Sequence, residues 1–224
     1  MYHQNKWKFF KDKDIPLIQI FENEWVNKED IVKSIILNKL GKSKEVIYAR
    51  KCEIKEVDNK DTNKFLISNH LQDTCVSRIR IGLYYNNELA ALATFGKNRF
   101  SKDDTYELLR YCNKINTNIV GGYNKLLSHF IKNYSNNIIS YVDLRYFNAS
   151  AYINFGFKII DITSPNYFYF KNNSYILYNR INFQKHKLKD KLDVFDPLLS
   201  EIDNMRNNGY NRIFDAGNYK MIKN

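Results

Sequence analysis

With 224 residues, 44% of them hydrophobic and 15% aromatic, the chain can bury a sizeable core, and intrinsic disorder is excluded although 26% of residues are charged. A formal net charge of +11 and a pI near 9.4 favour an anionic partner, nucleic acid above all, because clustered Lys and Arg gain by releasing counterions from phosphates. Cys52, Cys75 and Cys112 are odd in number and widely spaced, which excludes a disulfide framework or a cysteine-rich zinc site and implies a reducing compartment.

The opening stretch MYHQNKWKFFKDKD lacks the apolar core of a signal peptide, and no later run approaches the ~20 apolar residues of a membrane span. A cytoplasmic chain with no membrane partner is expected. Residues 17–21 read as a short strand, followed by a turn and a helix over residues 28–40. In that helix Ile31, Ile35 and Ile36 share one face and Gly41 stands at the C-cap. A lone strand and helix cannot bury both their faces, so residues 1–45 form an extension that must dock elsewhere. Next, the alternation of Ile47, Ala49, Cys52, Ile54 and Val57 predicts a strand with an irregularity near Lys51, and DTNKFLISNHLQ predicts a short helix. IRIGLYYNNELAALATFGK predicts two strands joined by a tight turn at Asn86-Asn87, and TYELLRYCNKI predicts another strand. After the doublet Gly121-Gly122, Leu126, Leu127, Phe130 and Ile131 recur at helical spacing. IISYVDL is a further strand, NASAYINFGF a short helix closed by Gly156, and YFYFKNNSYILYN a hairpin. The tail opens on the basic run NRINFQKHKLKDKL and ends as a helix plus a short hairpin. The class is mixed α/β (α+β): a main domain over residues 46–180, the strand–helix extension before it, and a basic extension over residues 181–224.

A strand, a glycine doublet and a helix form an anion site in physical terms. The helix N-terminus carries unpaired N–H groups at the positive end of its dipole, and glycines let a phosphate approach. Val120, Gly121, Gly122, Tyr123, Asn124 and Lys125 are therefore the candidate cofactor turn, with a plain turn as the alternative. The order of hairpin, ELLRYC strand, glycine turn, helix, IISYVD strand and SAYINFGFKII resembles the GNAT acyltransferase fold, a central mixed sheet flanked by helices, over roughly residues 46–180. The resemblance implies acetyl-CoA or another acyl-CoA at the glycine turn, and puts Tyr152 in the place of the family's tyrosine acid, ahead of a Gly156-Phe157 pair. NIVGGYNK departs from the family's turn, which carries Arg or Gln, two residues, and then spaced glycines.

A narrower likeness lies in FLISNHLQ, IRIGLYYNNELAALATFGK, ELLRYC and ISYVDLRYFNASAYINFGF. These segments resemble the Mom family of phage DNA-modification proteins, a divergent GNAT branch. That resemblance implies modification of adenine in DNA, iron as a cofactor, and His70, Asp143 and Tyr152 as site residues meeting in one pocket, with His70 and Asp143 as metal ligands. The same segments are similar to C-terminal regions of phage homing-endonuclease-like proteins, in which IFENEW and KEDIVKSIILNKL resemble the last strand and helix of a Vsr-like nuclease. No catalytic Asp and Glu-x-Lys set precedes them here, so residues 1–45 are read as a nuclease remnant without nuclease activity.

Each candidate has a plain role beside its chemical one. His70 caps a helix, or serves as a base or ligand. Asp143 caps the loop after its strand, or supplies a carboxylate at a strand C-terminus, where open α/β sheets gather chemistry. Glu107 and Arg110, three apart in one strand, are expected on opposite faces with one of them directed at the site. Arg145 and Tyr146 are expected beside the site, where a guanidinium and exposed aromatics can hold an extruded base. Arg180, Lys185, Lys187 and Lys189 are expected on phosphates. Three functions remain open: Mom-like modification of a DNA base, acyl-CoA-dependent N-acyl transfer to protein, tRNA or a small amine, and a non-catalytic DNA-binding module.

Overall fold

The computed structural model describes residues 1–98 and 105–224. Contacts divide them into two units, one of Lys28–Val142, Phe147–Ile162 and Tyr219–Asn224, the other of Met1–Asn27, Asp143–Tyr146 and Thr163–Asn218. The boundaries near residues 45 and 180 expected from the sequence fall inside these units. The helices are α1 (Tyr2–Lys11), α2 (Glu22–Asn27), α3 (Glu29–Lys39), α4 (Asn59–Asn69), α5 (Gly122–Asn133), α6 (Ser150–Asn154) and α7 (Glu201–Asn207). The strands are β1 (Glu45–Tyr48), β2 (Glu53–Glu56), β3 (Ile79–Tyr85), β4 (Glu88–Lys97), β5 (Tyr106–Asn113), β6 (Thr117–Val120), β7 (Ile138–Asp143), β8 (Lys158–Ile162), β9 (Tyr167–Lys171), β10 (Tyr178–Asn179), β11 (Tyr210–Phe214) and β12 (Asn218–Lys223). No helix among the described residues is long and apolar enough to cross a membrane.

The first unit carries a mixed sheet in the order β2-β3-β4-β5-β7-β12-β8, so the central mixed sheet flanked by helices expected from the sequence is present. Strands β2 to β5 run antiparallel to their neighbours, whereas β5 and β7 are parallel, with α5 as their crossover. The β3–β4 hairpin turns at Asn86 and Asn87, both at positive φ, which suits the twist of the flanking strands and which Asn tolerates. Phe65 and Leu66 of α4 pack with Leu92 and Cys112 on one sheet face. On the other, Phe130 of α5 stacks on Phe95 at 3.8 Å. Leu92 and Phe95 are three apart in β4 and so point to opposite faces, and burying each such side chain contributes about 1.5–3 kcal/mol.

The strand expected from Ile47 to Val57 is two strands in different sheets. A 3-10 turn at Ala49–Lys51 redirects the chain, so that β1 pairs in parallel with β6 while β2 joins the large sheet. The predicted strand over residues 17–21 makes no ladder; Gln19 N–H donates to the Arg145 carbonyl at 2.9 Å and Phe21 is buried. Helix α1, which buries only Trp7, shows no apolar periodicity and was not anticipated.

The second unit contains the antiparallel sheet β10-β9-β11 over a core of Tyr169, Phe183, Leu188 and Met205. The expected tail hairpin is absent, because β11 pairs with β9 whereas β12 pairs with β8. Between β11 and β12, Asp215 accepts the N–H groups of Asn166 and Gly217, which fixes a connection unlike a hairpin turn.

Candidate functional site

The parallel ladder of β5 and β7 covers only Tyr106↔Ile138, Glu107↔Ile139 and Leu108↔Ser140, although β5 continues to Asn113 and β7 to Asp143. Beyond Leu108 the sheet is open. Tyr111 of β5, Tyr123 of α5 and Tyr152 of α6 gather there, with ring centroids 5.1 Å (Tyr111–Tyr123) and 4.9 Å (Tyr123–Tyr152) apart. The Ser140 hydroxyl, close enough to Tyr152 to lower its pKa against the larger effect of burial, donates to the Leu108 carbonyl at 3.2 Å. The Tyr111 hydroxyl donates to Asn113 Oδ1 at 2.9 Å. Among the described residues the Tyr123 hydroxyl is buried with no hydrogen-bond partner. Burial raises the pKa of all three phenols, so each remains protonated at neutral pH. Of these, only Tyr152 and Tyr123 stood out in the sequence; nothing local marks Tyr111 or Ser140 among 17 tyrosines and many serines.

The glycine turn borders this opening. Gly121 occupies the left-handed region at φ 77° as the N-cap of α5, and a Cβ there would meet only the Ala49 side chain, at 3.8 Å. At Gly122 a Cβ would lie 2.8 Å from Ile119 and 3.2 Å from the Tyr111 hydroxyl, so close packing requires that glycine. The Lys125 amine is not held outward for an anion: it donates to the carbonyls of Ala49 (2.9 Å) and Cys52 (2.6 Å). Val120 is exposed.

The α4 face of β5 holds a second group. Glu107 pairs with Gly96 and Arg110 with Thr94, with a register shift between Thr94 and Phe95. Leu109 is thus the extra residue of a bulge, and Glu107 and Arg110 share one face instead of the two expected from simple alternation. Arg110 donates from Nε to the Asp73 carbonyl at 3.3 Å, and Lys28 reaches the Leu71 carbonyl and Asp73 Oδ2, each at 2.6 Å. These cations fasten the loop that His70 opens. His70 is the C-cap of α4, half-buried, and its Nδ1 accepts the Gln72 N–H at 3.0 Å, which leaves Nε2 as the protonated nitrogen.

Burial first, then the charges of Arg110 and Lys28, hold the His70 pKa down to about 3 from 6.5. A depressed folded-state pKa gives stability that is complete above 6.5 and is lost as pH falls toward the folded value, because the unfolded chain takes up a proton the folded chain refuses. The expected loss from this group is about 1.4 kcal/mol per pH unit below the unfolded value. Denaturant unfolding between about pH 4 and 6.5 should show a shallower acid loss in His70→Gln than in the wild type. Equal slopes would remove His70 from the acid response.

Asp143 ends β7 and has partners of its own. Its Oδ2 accepts from Arg145 Nη2 and its Oδ1 from the Arg145 backbone N–H, both at 2.9 Å. Arg145 also makes a bidentate pair with Glu24 (3.0 and 2.9 Å), and Tyr146 donates to Glu24 at 2.7 Å. Arg145 and Tyr146, expected as exposed contacts to a base, are 6% and 1% exposed, so neither presents a face to a nucleotide. Burial opposes the Arg145 charge, but Asp143 and Glu24 outweigh it and raise the guanidinium pKa. His70, Asp143 and Tyr152 therefore have three separate sets of partners. No group of three or more His, Cys, Asp or Glu among the described residues could hold a metal. With both Asp143 oxygens committed to Arg145, the expected His70–Asp143 iron pair does not fit the residues present.

Of the basic tail, Arg180, Lys185 and Lys189 are exposed on two 3-10 turns anchored by buried Phe183 and Leu188, while Lys187 is turned back to the Ile181 carbonyl at 2.7 Å. Most of the excess positive charge lies elsewhere, in the unit that carries the large sheet.

No protein-family profile matches the chain, and no curated protein matches it. Among solved structures, it is similar to a Bacillus subtilis acetyltransferase in complex with CoA (15% identity, 78% of this chain and 99% of that one, TM-score 0.42). It is also similar to an IAA acetyltransferase from Bacillus cereus (12%, 77% and 98%, TM-score 0.39). A third is a GNAT family acetyltransferase from Elizabethkingia anophelis with acetyl-CoA bound (18%, 77% and 95%, TM-score 0.36).

Proposed function

We propose that the chain is a GNAT-type N-acyltransferase that takes an acyl-CoA donor from the α5 side of its large sheet and an amine acceptor from the α4 side. The observation that carries this reading is the opening between β5 and β7, where the unpartnered Tyr123 hydroxyl and the protonated Tyr152 stand beside the glycine-led start of α5. A buried hydroxyl without a partner costs about 1–3 kcal/mol, which a bound polar ligand would relieve. Gly121 and the N–H groups of Gly122 and Asn124 would hold a phosphate oxygen of the donor; Lys125 would not. Acyl-CoA, when bound, supplies an acyl group activated as a thioester.

The remaining chemistry belongs to the chain. Tyr152, kept protonated by burial, holds a proton for the leaving sulfur. Glu107 and Arg110, brought to one face by the bulge, place a carboxylate and a guanidinium on the acceptor side, the carboxylate to receive the proton that the attacking amine gives up. A nucleic-acid amine as acceptor, including a Mom-like modification of a DNA base, is the second reading, favoured by the net charge of +11.

Isothermal titration of the full chain with acetyl-CoA should give saturable heat. No binding would sink the acyl-transfer reading. If binding is seen, mass spectrometry of nucleosides from DNA exposed to protein and acetyl-CoA decides the acceptor: an acylated base supports the second reading, and unmodified DNA removes it.

A further inference from the structure

The second unit holds a pocket of about 210 Å³ between α7 and β11, walled by Tyr169, Arg206, Tyr210, Asn211, Arg212 and Phe214. Two guanidiniums open onto it. Arg212 lies against two touching aromatic rings, 4.8 Å from the Tyr167 centroid and 4.7 Å from that of Phe214, and pairs with no carboxylate among the described residues. The contact of Arg206 to Asp203 is 3.9 Å long between two exposed side chains, a pair worth little in water. Glu201, the acid at the start of α7, has its Oε1 occupied by the hydroxyls of Tyr167 and Tyr169, both at 2.8 Å. Elsewhere in this unit Lys171 lies 4.9 Å from the Tyr210 ring and Arg180 5.4 Å from the Tyr167 ring. Cation–π pairs alone would support this unit by about 0.5–1 kcal/mol each. They do not account for two arginines facing one concavity that no carboxylate lines.

We propose that this pocket binds one nucleotide unit of single-stranded nucleic acid, with a phosphate on Arg206 and Arg212 and the base or sugar against Tyr210 and Phe214. A guanidinium resting against two rings has fewer orientations to lose when its N–H groups meet phosphate oxygens, and half-exposed aromatic side chains accept an unstacked base. The volume is below the ~300–1,000 Å³ of sites that enclose whole cofactors, which favours one unit of a longer chain over a free cofactor. A single strand is favoured over a duplex because only unstacked bases offer their faces. The inference is independent of the acyl-transfer reading, and its test measures binding alone.

The experiment is a fluorescence-anisotropy titration of the full chain with a labelled oligothymidylate of about twelve nucleotides, within the site sizes of single-strand binders, over a range of salt. The double variant Arg206→Ala/Arg212→Ala should bind about tenfold more weakly, a loss of ~1.4 kcal/mol. Its log–log salt slope should be shallower by about 0.7, the value for one phosphate contact on a single strand. Because Arg212 also packs on Tyr167 and Phe214, Arg206→Ala alone keeps the test valid if the double variant folds poorly, and it should weaken binding about threefold. Unchanged affinity in Arg206→Ala and in the folded double variant would overturn the proposal. So would an equal loss on neutralising exposed Lys60 and Lys64 of α4, or thymidine monophosphate competing as well as the oligonucleotide.

Discussion

Replacing Arg145 with alanine is expected to destabilise the protein by about 3–5 kcal/mol, the cost of leaving a buried charge uncompensated. The Glu24 carboxylate loses two bonds from Arg145 and keeps those from the Phe21 N–H and the Tyr146 hydroxyl, while its side chain is only 11% exposed. Asp143 loses its pairing to Nη2 at the same time, and the Phe21 ring loses a guanidinium 4.0 Å from its centroid. Glu24 cannot turn to water without opening the core around it, whereas Asp143, with its side chain 19% exposed, is partly hydrated. By contrast, the exposed pair Lys33–Glu29, at 2.9 Å and four residues apart on α3, should contribute little, because water screens it. The double change Glu24→Leu/Arg145→Met should lose less than Arg145→Ala, since it removes the charges together. Urea unfolding measures all three; a loss under about 1 kcal/mol for Arg145→Ala would mean that the network is not desolvated.

This network also shows what was and was not legible in the sequence. The β3–β4 hairpin was readable because alternation and the Asn86-Asn87 turn are local, and α5 because Leu126, Leu127 and Phe130 repeat at helical spacing. Glu24 and Arg145 are 121 residues apart, and no local pattern links them. An Arg-Tyr-Phe run reads as an exposed binding strip unless its acidic partner is known. The same limit applies to Glu107 and Arg110. Period-two alternation puts them on opposite faces, but one bulged residue, Leu109, brings them together, and nothing in ELLRYC announces a bulge. The glycine turn was found from its chemistry, yet the Lys125 amine turns inward because the carbonyls of Ala49 and Cys52, more than seventy residues earlier, lie within reach.

The largest effect expected on activity is that of Tyr152→Phe, which should reduce acyl transfer by about 10²–10⁴-fold while leaving the fold and acetyl-CoA affinity nearly unchanged, the range that loss of a positioned general acid gives. The substitution removes one oxygen and leaves the ring against Tyr123 and Phe157, at 4.9 and 5.5 Å, so packing persists. Ser140 retains its bond to Leu108 and is not stranded. A residue that served only packing would tolerate the change, and a steady-state comparison of kcat and KM separates the two roles: the fall should lie in kcat. The pH dependence follows from the raised phenol pKa. Tyr152 stays protonated through neutrality, so its contribution to the rate should be level there and decline only above the ordinary tyrosine value of about 10. Stability follows the same sign: the unfolded chain ionises its tyrosines near that value while Tyr111, Tyr123 and Tyr152 resist, so their contribution is complete below it and is lost as pH rises, by about 1.4 kcal/mol per pH unit for each. Tyr123→Phe supplies the contrast. Deleting an unpartnered buried hydroxyl should stabilise the free protein and weaken acetyl-CoA binding, if the donor satisfies that hydroxyl. Full activity in Tyr152→Phe would take the proton from Tyr152 and leave the opening between β5 and β7 as a binding site served by another acid.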